Sequence, residues 1–106
     1  MSADIKALLQ ELRSNLKVLY GSRLIEVYLY GSYARHEADP ESDVDVLIVL
    51  DDLAGYGVEL DRTGHLVSDL SLKYGVSISR VFVTASDWSR RNSPFLINVR
   101  AEAIPA

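Results

Sequence analysis

Two aspartates one residue apart, Asp43 and Asp45, stand at the head of an apolar run that continues to Leu50. In a strand alternate side chains share a face, so both carboxylates point the same way. Side by side on an otherwise apolar strand they repel each other and cost desolvation. A divalent cation between them relieves both costs, and oxygen-only ligands suit magnesium or manganese. Just upstream, Gly31-Ser32 ends the apolar segment Val27-Tyr28-Leu29-Tyr30. Glycine lets backbone approach a ligand closely, and a serine opening a helix can cap it and donate to a phosphate. A helix starting there would offer free N–H groups to an anion, with Arg35 as a further phosphate partner. Arg35 has a rival role as an ion-pair partner of Glu37 or Asp39. A phosphate cradle joined by one short loop (36–42) to a carboxylate pair suits a nucleoside triphosphate. The bland alternative is an aspartate pair that caps loop N–H groups at a strand start.

The same residues carry a family resemblance. Gly31-Ser32, ten intervening residues and then Asp43-Val44-Asp45 resemble the signature of the DNA polymerase β-like nucleotidyltransferase superfamily. The surrounding GSYARHEA and SDVDVLIVL look most like the minimal nucleotidyltransferases (MNT), which are often partnered by HEPN-domain proteins. The resemblance is most specific over residues 29–50. It implies that Asp43 and Asp45 are catalytic metal ligands, and that Gly31 and Ser32, more weakly Arg35, bind the triphosphate of ATP. It also implies a third carboxylate on the next strand, yet that segment, VSISRVFV (76–83), contains none. Ser77 or Ser79 stands in its place, and a serine is a poor metal ligand without charge. Asp69 or Asp87 substitutes only if the fold brings one close. His36 stands where many relatives have glycine and reads as exposed loop rather than general base.

At 106 residues the chain reads as one domain, 1–106, able to bury a modest core. No apolar run reaches the ~18 residues of a membrane span, the N-terminus lacks a secretory pattern, and there is no cysteine. The expectation is a cytoplasmic protein. A net charge of −4 argues against nucleic acid as direct substrate, because that binding neutralises phosphates with Lys and Arg.

Elements that must position the site follow from periodicity. Ile5, Leu8, Leu9, Leu12, Leu16 and Leu19 predict an amphipathic helix over 3–20, with Ser2 or Asp4 as cap and Gly21 as stop. A strand covers 24–30, with Ile25, Val27 and Leu29 on one face and Glu26, Tyr28 and Tyr30 on the other. A short helix, 32–37, and a second strand, 43–50, follow, with Asp51-Asp52 as a solvated strand end. A helix over 59–74 carries Leu60, Leu66, Val67, Leu70 and Tyr74 on one face and stops at Gly75; Gly64 suggests a start later than Glu59. After the third strand, 76–83, Thr84-Ala85-Ser86-Asp87 has capping-box form. Pro94 opens a last helix, 95–103. The order fits an α/β (α+β) fold, a small mixed β-sheet with helices mainly on one face. That layout resembles the nucleotidyltransferase palm-like core.

The resemblance implies a Mg-dependent enzyme moving AMP from ATP to a hydroxyl on a HEPN toxin partner, acting as antitoxin. With no second domain to hold an acceptor, acceptor choice is expected to come from another polypeptide. The competing expectation is a catalytically impaired protein that neutralises a HEPN partner by contact or senses nucleotide; an apolar face on Phe95, Leu96, Ile97 and Val99 is its candidate interface. Base preference and oligomeric state, homo- or hetero-oligomer, stay open.

Overall fold

Every residue of the strand that follows Asp43 is fully buried except Asp45. Such a strand must be covered on both faces, and the computed structural model, which describes residues 3–106, shows how. Helix α1 (Ala3–Tyr20) leads through a 3-10 turn (Gly21–Arg23) to β1 (Leu24–Tyr30), α2 (Gly31–Ala34) and β2 (Val44–Leu50). Then come α3 (Tyr56–Tyr74), β3 (Ile78–Thr84), α4 (Ala85–Arg90), α5 (Pro94–Glu102) and a short β4 (Ile104–Pro105). The sheet order is β3-β2-β1-β4, with β2 and β3 parallel and the other pairs antiparallel. The expected mixed sheet is therefore present. β4 had no sequence signal; as an edge strand it tolerates Pro105, which cannot donate to a ladder.

The long helices α1 and α3 cover one face, built on Leu8, Leu12, Leu16, Val27, Leu29, Val46, Ile48 and Phe82. Each fully buried leucine there contributes about 1.5–3 kcal/mol. The short helices α4 and α5 cover the other face, where Leu47, Val49 and Val99 pack with Tyr28, Tyr30 and Trp88. Tyr28 and Trp88 stack with centroids 4.8 Å apart.

Local chemistry explains the boundaries. Gly21 and Gly75 take φ of 59° and 66° as helix stops, a conformation that costs other residues. Thr84 Oγ1 accepts from the Asp87 N–H, and Ser93 Oγ from the Leu96 N–H with Pro94 at the first helical position. The Ser2 cap lies outside the described residues.

Three sequence expectations are corrected. Ile25 is 49% exposed because a bulge between Leu24 and Glu26 shifts the register, which puts Leu24 in the core instead. Leu19 turns outward and Tyr20, four residues beyond Leu16, completes the buried stripe. Finally, α3 starts at Tyr56, earlier than Glu59 despite Gly57 and Gly64. Its first turn delivers Glu59, fully buried, to the Tyr20 hydroxyl (3.0 Å), the Ala54 N–H (3.3 Å) and Arg62 (3.2 Å). Burial pushes its carboxyl up, but the hydrogen bonds from Tyr20 and Ala54 and the Arg62 charge outweigh it and hold the carboxyl below the ordinary range. No helix among the described residues is long and apolar enough to cross a membrane.

Candidate active site

The antiparallel hairpin of β1 and β2 sets Tyr30 opposite Asp45. The chain leaves β1 through Gly31, whose φ of +74° only glycine adopts at little cost. A second reason for glycine is space: a Cβ there would lie 2.1 Å from Asp45 Oδ2. Gly31 thus lets the backbone lie directly against the Asp45 carboxylate. α2 is a single turn, shorter than the 32–37 expected, and the Glu37 N–H closes back on the Ser32 carbonyl at 2.9 Å. His36 is exposed with φ of 60°, as the loop reading required.

Four of the five residues singled out in the sequence meet at the end of this hairpin, and Asp43 does not line the cleft. Gly31, Ser32, Arg35 and Asp45 line one cleft of about 290 Å³ together with Tyr30, Phe95, Asn98, Val99 and Glu102. Asp43 is exposed just before β2. Burial pushes the Asp45 carboxyl above its ordinary range, and the Asp43 charge pushes it further; Arg35 opposes this and Glu102 reinforces it. Tyr30, half-buried beside Asp45 and packed edge-on to Phe95 with centroids 5.7 Å apart, is pushed up to about 12, mainly by desolvation.

β3 supplies no carboxylate. Ser79 is in register with Asp45, and the Ser77 carbonyl accepts the Val44 N–H at 2.8 Å. Neither Asp69 nor Asp87 lines the cleft. Among the described residues no group of three His, Cys, Asp or Glu could hold a metal ion. Asp43 and Asp45 remain the candidate ligands of a hard cation. Asp45, burdened by burial and by Asp43, is a carboxylate that a positive charge would relieve, and magnesium is commonly held by one or two carboxylates plus substrate phosphates and water.

Sequence reasoning missed Glu102, the last residue of α5. Its Oε2 accepts from the Gly31 N–H and from Arg35 Nη1 (3.0 Å). Arg35 also pairs with Glu37 at 3.3 Å, so the rival reading of Arg35 as an ion-pair partner holds in part. Glu102 lies 71 positions from Gly31, and no local motif announces it. The apolar segment 95–99 divides: Leu96 and Val99 pack inward, whereas Phe95 and Ile97 are 42% and 50% exposed.

Known proteins share this architecture. A candidate protein adenylyltransferase of Methanocaldococcus jannaschii is 36% identical over 95 residues, which span 89% of each chain. A toxin–antitoxin crystal structure with AMP-PNP superposes with TM-score 0.59 at 20% identity, covering 89% of this chain and 68% of that one. A candidate nucleotidyltransferase from Sulfolobus solfataricus gives TM-score 0.59 at 15% identity, covering 99% and 86%. At such identities the two structures testify to the fold alone. The nucleotidyltransferase domain family matches residues 5–97, and this chain belongs to that family.

Proposed function

We propose that this chain, a single domain over 1–106, transfers AMP from ATP to a hydroxyl on a partner protein, with magnesium or manganese as cofactor. The observation that carries this reading is the contact of Gly31 with Asp45, which sets the backbone turn directly against a carboxylate whose charge burial and the nearby Asp43 disfavour. Asp43 and Asp45 would hold the metal, which supplies charge neutralisation and in-line alignment of the reacting oxygens. The Gly31 N–H, the Ser32 hydroxyl and Arg35 orient the triphosphate. In the transfer the acceptor oxygen bonds to the α-phosphorus, the bond to pyrophosphate breaks, and the hydroxyl proton is released.

Support for a protein acceptor comes from the naming of the archaeal relative and from the net charge of −4, which disfavours nucleic acid. The sequence resemblance to the minimal nucleotidyltransferases extends the proposal to a HEPN-type toxin as that acceptor with this chain as antitoxin, and the fold is shared with a toxin–antitoxin structure that carries AMP-PNP. Intact mass of such a partner after incubation with this protein, ATP and magnesium tests the reading. AMP-sized additions that vanish with Asp43→Asn are expected; no addition in a stable complex would refute it.

One observation favours a second reading. Ser79 faces Asp45 where a third carboxylate would belong, which weakens metal binding and suits a protein that neutralises its partner by contact. Protection from the toxin that survives Asp43→Asn together with Asp45→Asn would select this alternative.

A further inference from the structure

Two of the three donors assigned to the triphosphate are already engaged. One carboxylate, Glu102, accepts from both the Gly31 N–H and the Arg35 guanidinium. Arg35 has further N–H groups to offer, but the Gly31 N–H has one hydrogen to give, so a phosphate that takes it must displace Glu102, whose negative charge it also repels. Either Glu102 leaves when nucleotide arrives, or nucleotide does not bind there.

We propose that Glu102 is a resident competitor for the phosphates: it occupies the cradle in the nucleotide-free protein and is displaced by the triphosphate. The inference rests on the nucleotide-binding reading above. Displacement needs only a side-chain rotation. Glu102 is 23% exposed at its side chain, so solvent is open to it. Its backbone is held close by, where Ile104 pairs with Leu29 on β1, so α5 can stay seated on the sheet. Arg35 keeps a carboxylate partner at Glu37 when Glu102 departs. The rival role, a third metal ligand beside Asp45, finds no group of three candidate ligands among the described residues.

The competition makes binding of phosphates weaker than the bare donors would give, and selectively so. Calorimetric titration of the full chain with MgATP, magnesium tripolyphosphate and adenosine separates the cases, in wild type and Glu102→Gln. Glutamine keeps the shape and an acceptor for the Gly31 N–H but removes the charge. About tenfold tighter binding of both MgATP and tripolyphosphate is expected, the equivalent of about 1.4 kcal/mol, with adenosine unchanged. Unchanged or weaker binding of either phosphate ligand overturns the proposal while leaving the nucleotide reading intact. Absence of MgATP binding in both folded proteins takes down the nucleotide reading and the competitor with it. Circular dichroism checks the fold, and Glu102→Ala, expected to show the same phosphate-selective gain, serves if the glutamine variant does not fold.

Discussion

Gly31→Ala is the substitution that separates the site from the scaffold. Two effects are imposed at once. The backbone must hold an L-residue at φ +74°, which costs about 1–2 kcal/mol in the left-handed region. The new methyl must also clear Asp45, whose Oδ2, Cγ and Cβ would lie 2.1, 3.0 and 3.2 Å away. Turning Asp45 off its preferred rotamer adds about 0.5–1.5 kcal/mol. Gly75 provides the internal reference, because its φ is +66° and nothing lies within 4 Å of its added Cβ. Gly75→Ala therefore carries the backbone cost alone. For a domain of this size each kcal/mol lowers Tm by roughly 4–8 °C, so Gly31→Ala is expected to melt several degrees below Gly75→Ala. The functional contrast is sharper: Gly75→Ala keeps magnesium-dependent ATP binding, whereas Gly31→Ala loses it, because Asp45 no longer stands beside Asp43. Thermal melts with and without MgATP, followed by circular dichroism, measure both effects. A Gly31→Ala protein that melts with Gly75→Ala and still gains stability from MgATP would refute the argument.

Ser79→Asp places a carboxylate in register with Asp45; it is expected to lower the stability of the metal-free protein through like-charge repulsion and to strengthen magnesium binding by about tenfold. Metal titrations that show no gain would mean that the β3 position does not reach the ion. Tyr20 governs a pH window. Burial first, and its hydrogen bond to Glu59 second, raise it from 10.0 to about 12. Its folded pKa lies above the unfolded one, so its contribution is complete below pH 10 and disappears as pH rises towards 12. Tyr20→Phe is expected to cost about 1 kcal/mol at neutral pH and to make the alkaline decline shallower, with Tyr30, also raised to about 12, and Tyr74, raised first by its hydrogen bond to Glu11, contributing to what remains. Urea midpoints at neutral pH and in that window decide, and an equally steep decline in the variant would contradict the assignment.

The parts of this molecule legible in the sequence are those whose determinants are local. The periodicity of α1, the aspartate alternation, the cap at Thr84 and the proline that opens α5 each depend on residues a few positions apart. Misreadings arose where a distant partner overrode the local pattern. Gly57 and Gly64 weaken the start of α3, yet Glu59 must reach Tyr20, 39 positions away, to have its buried carboxylate satisfied; that tertiary demand carries the helix back to Tyr56. Ile25 was placed inside by strict alternation, and a single bulge exchanged it for Leu24.

The active cleft divides along the same line. Its local half, Gly31 to Asp45, is visible because a left-handed glycine and two spaced aspartates are chemically unusual neighbours. Its distant half is Glu102, delivered by α5 and pinned by two residues of β4, and nothing near position 102 marks it. Counting carboxylates strand by strand found β3 empty and left the cleft with two. The folded cleft contains Glu102 as well, bound not to a cation position but to the very donors that a phosphate needs. The missing charge on β3 and the extra charge on α5 therefore bear on different ligands. On the proposed reading, Ser79 would weaken the hold on the metal and Glu102 the hold on the triphosphate. A site with both features would then bind its metal–nucleotide complex loosely until Glu102 is displaced.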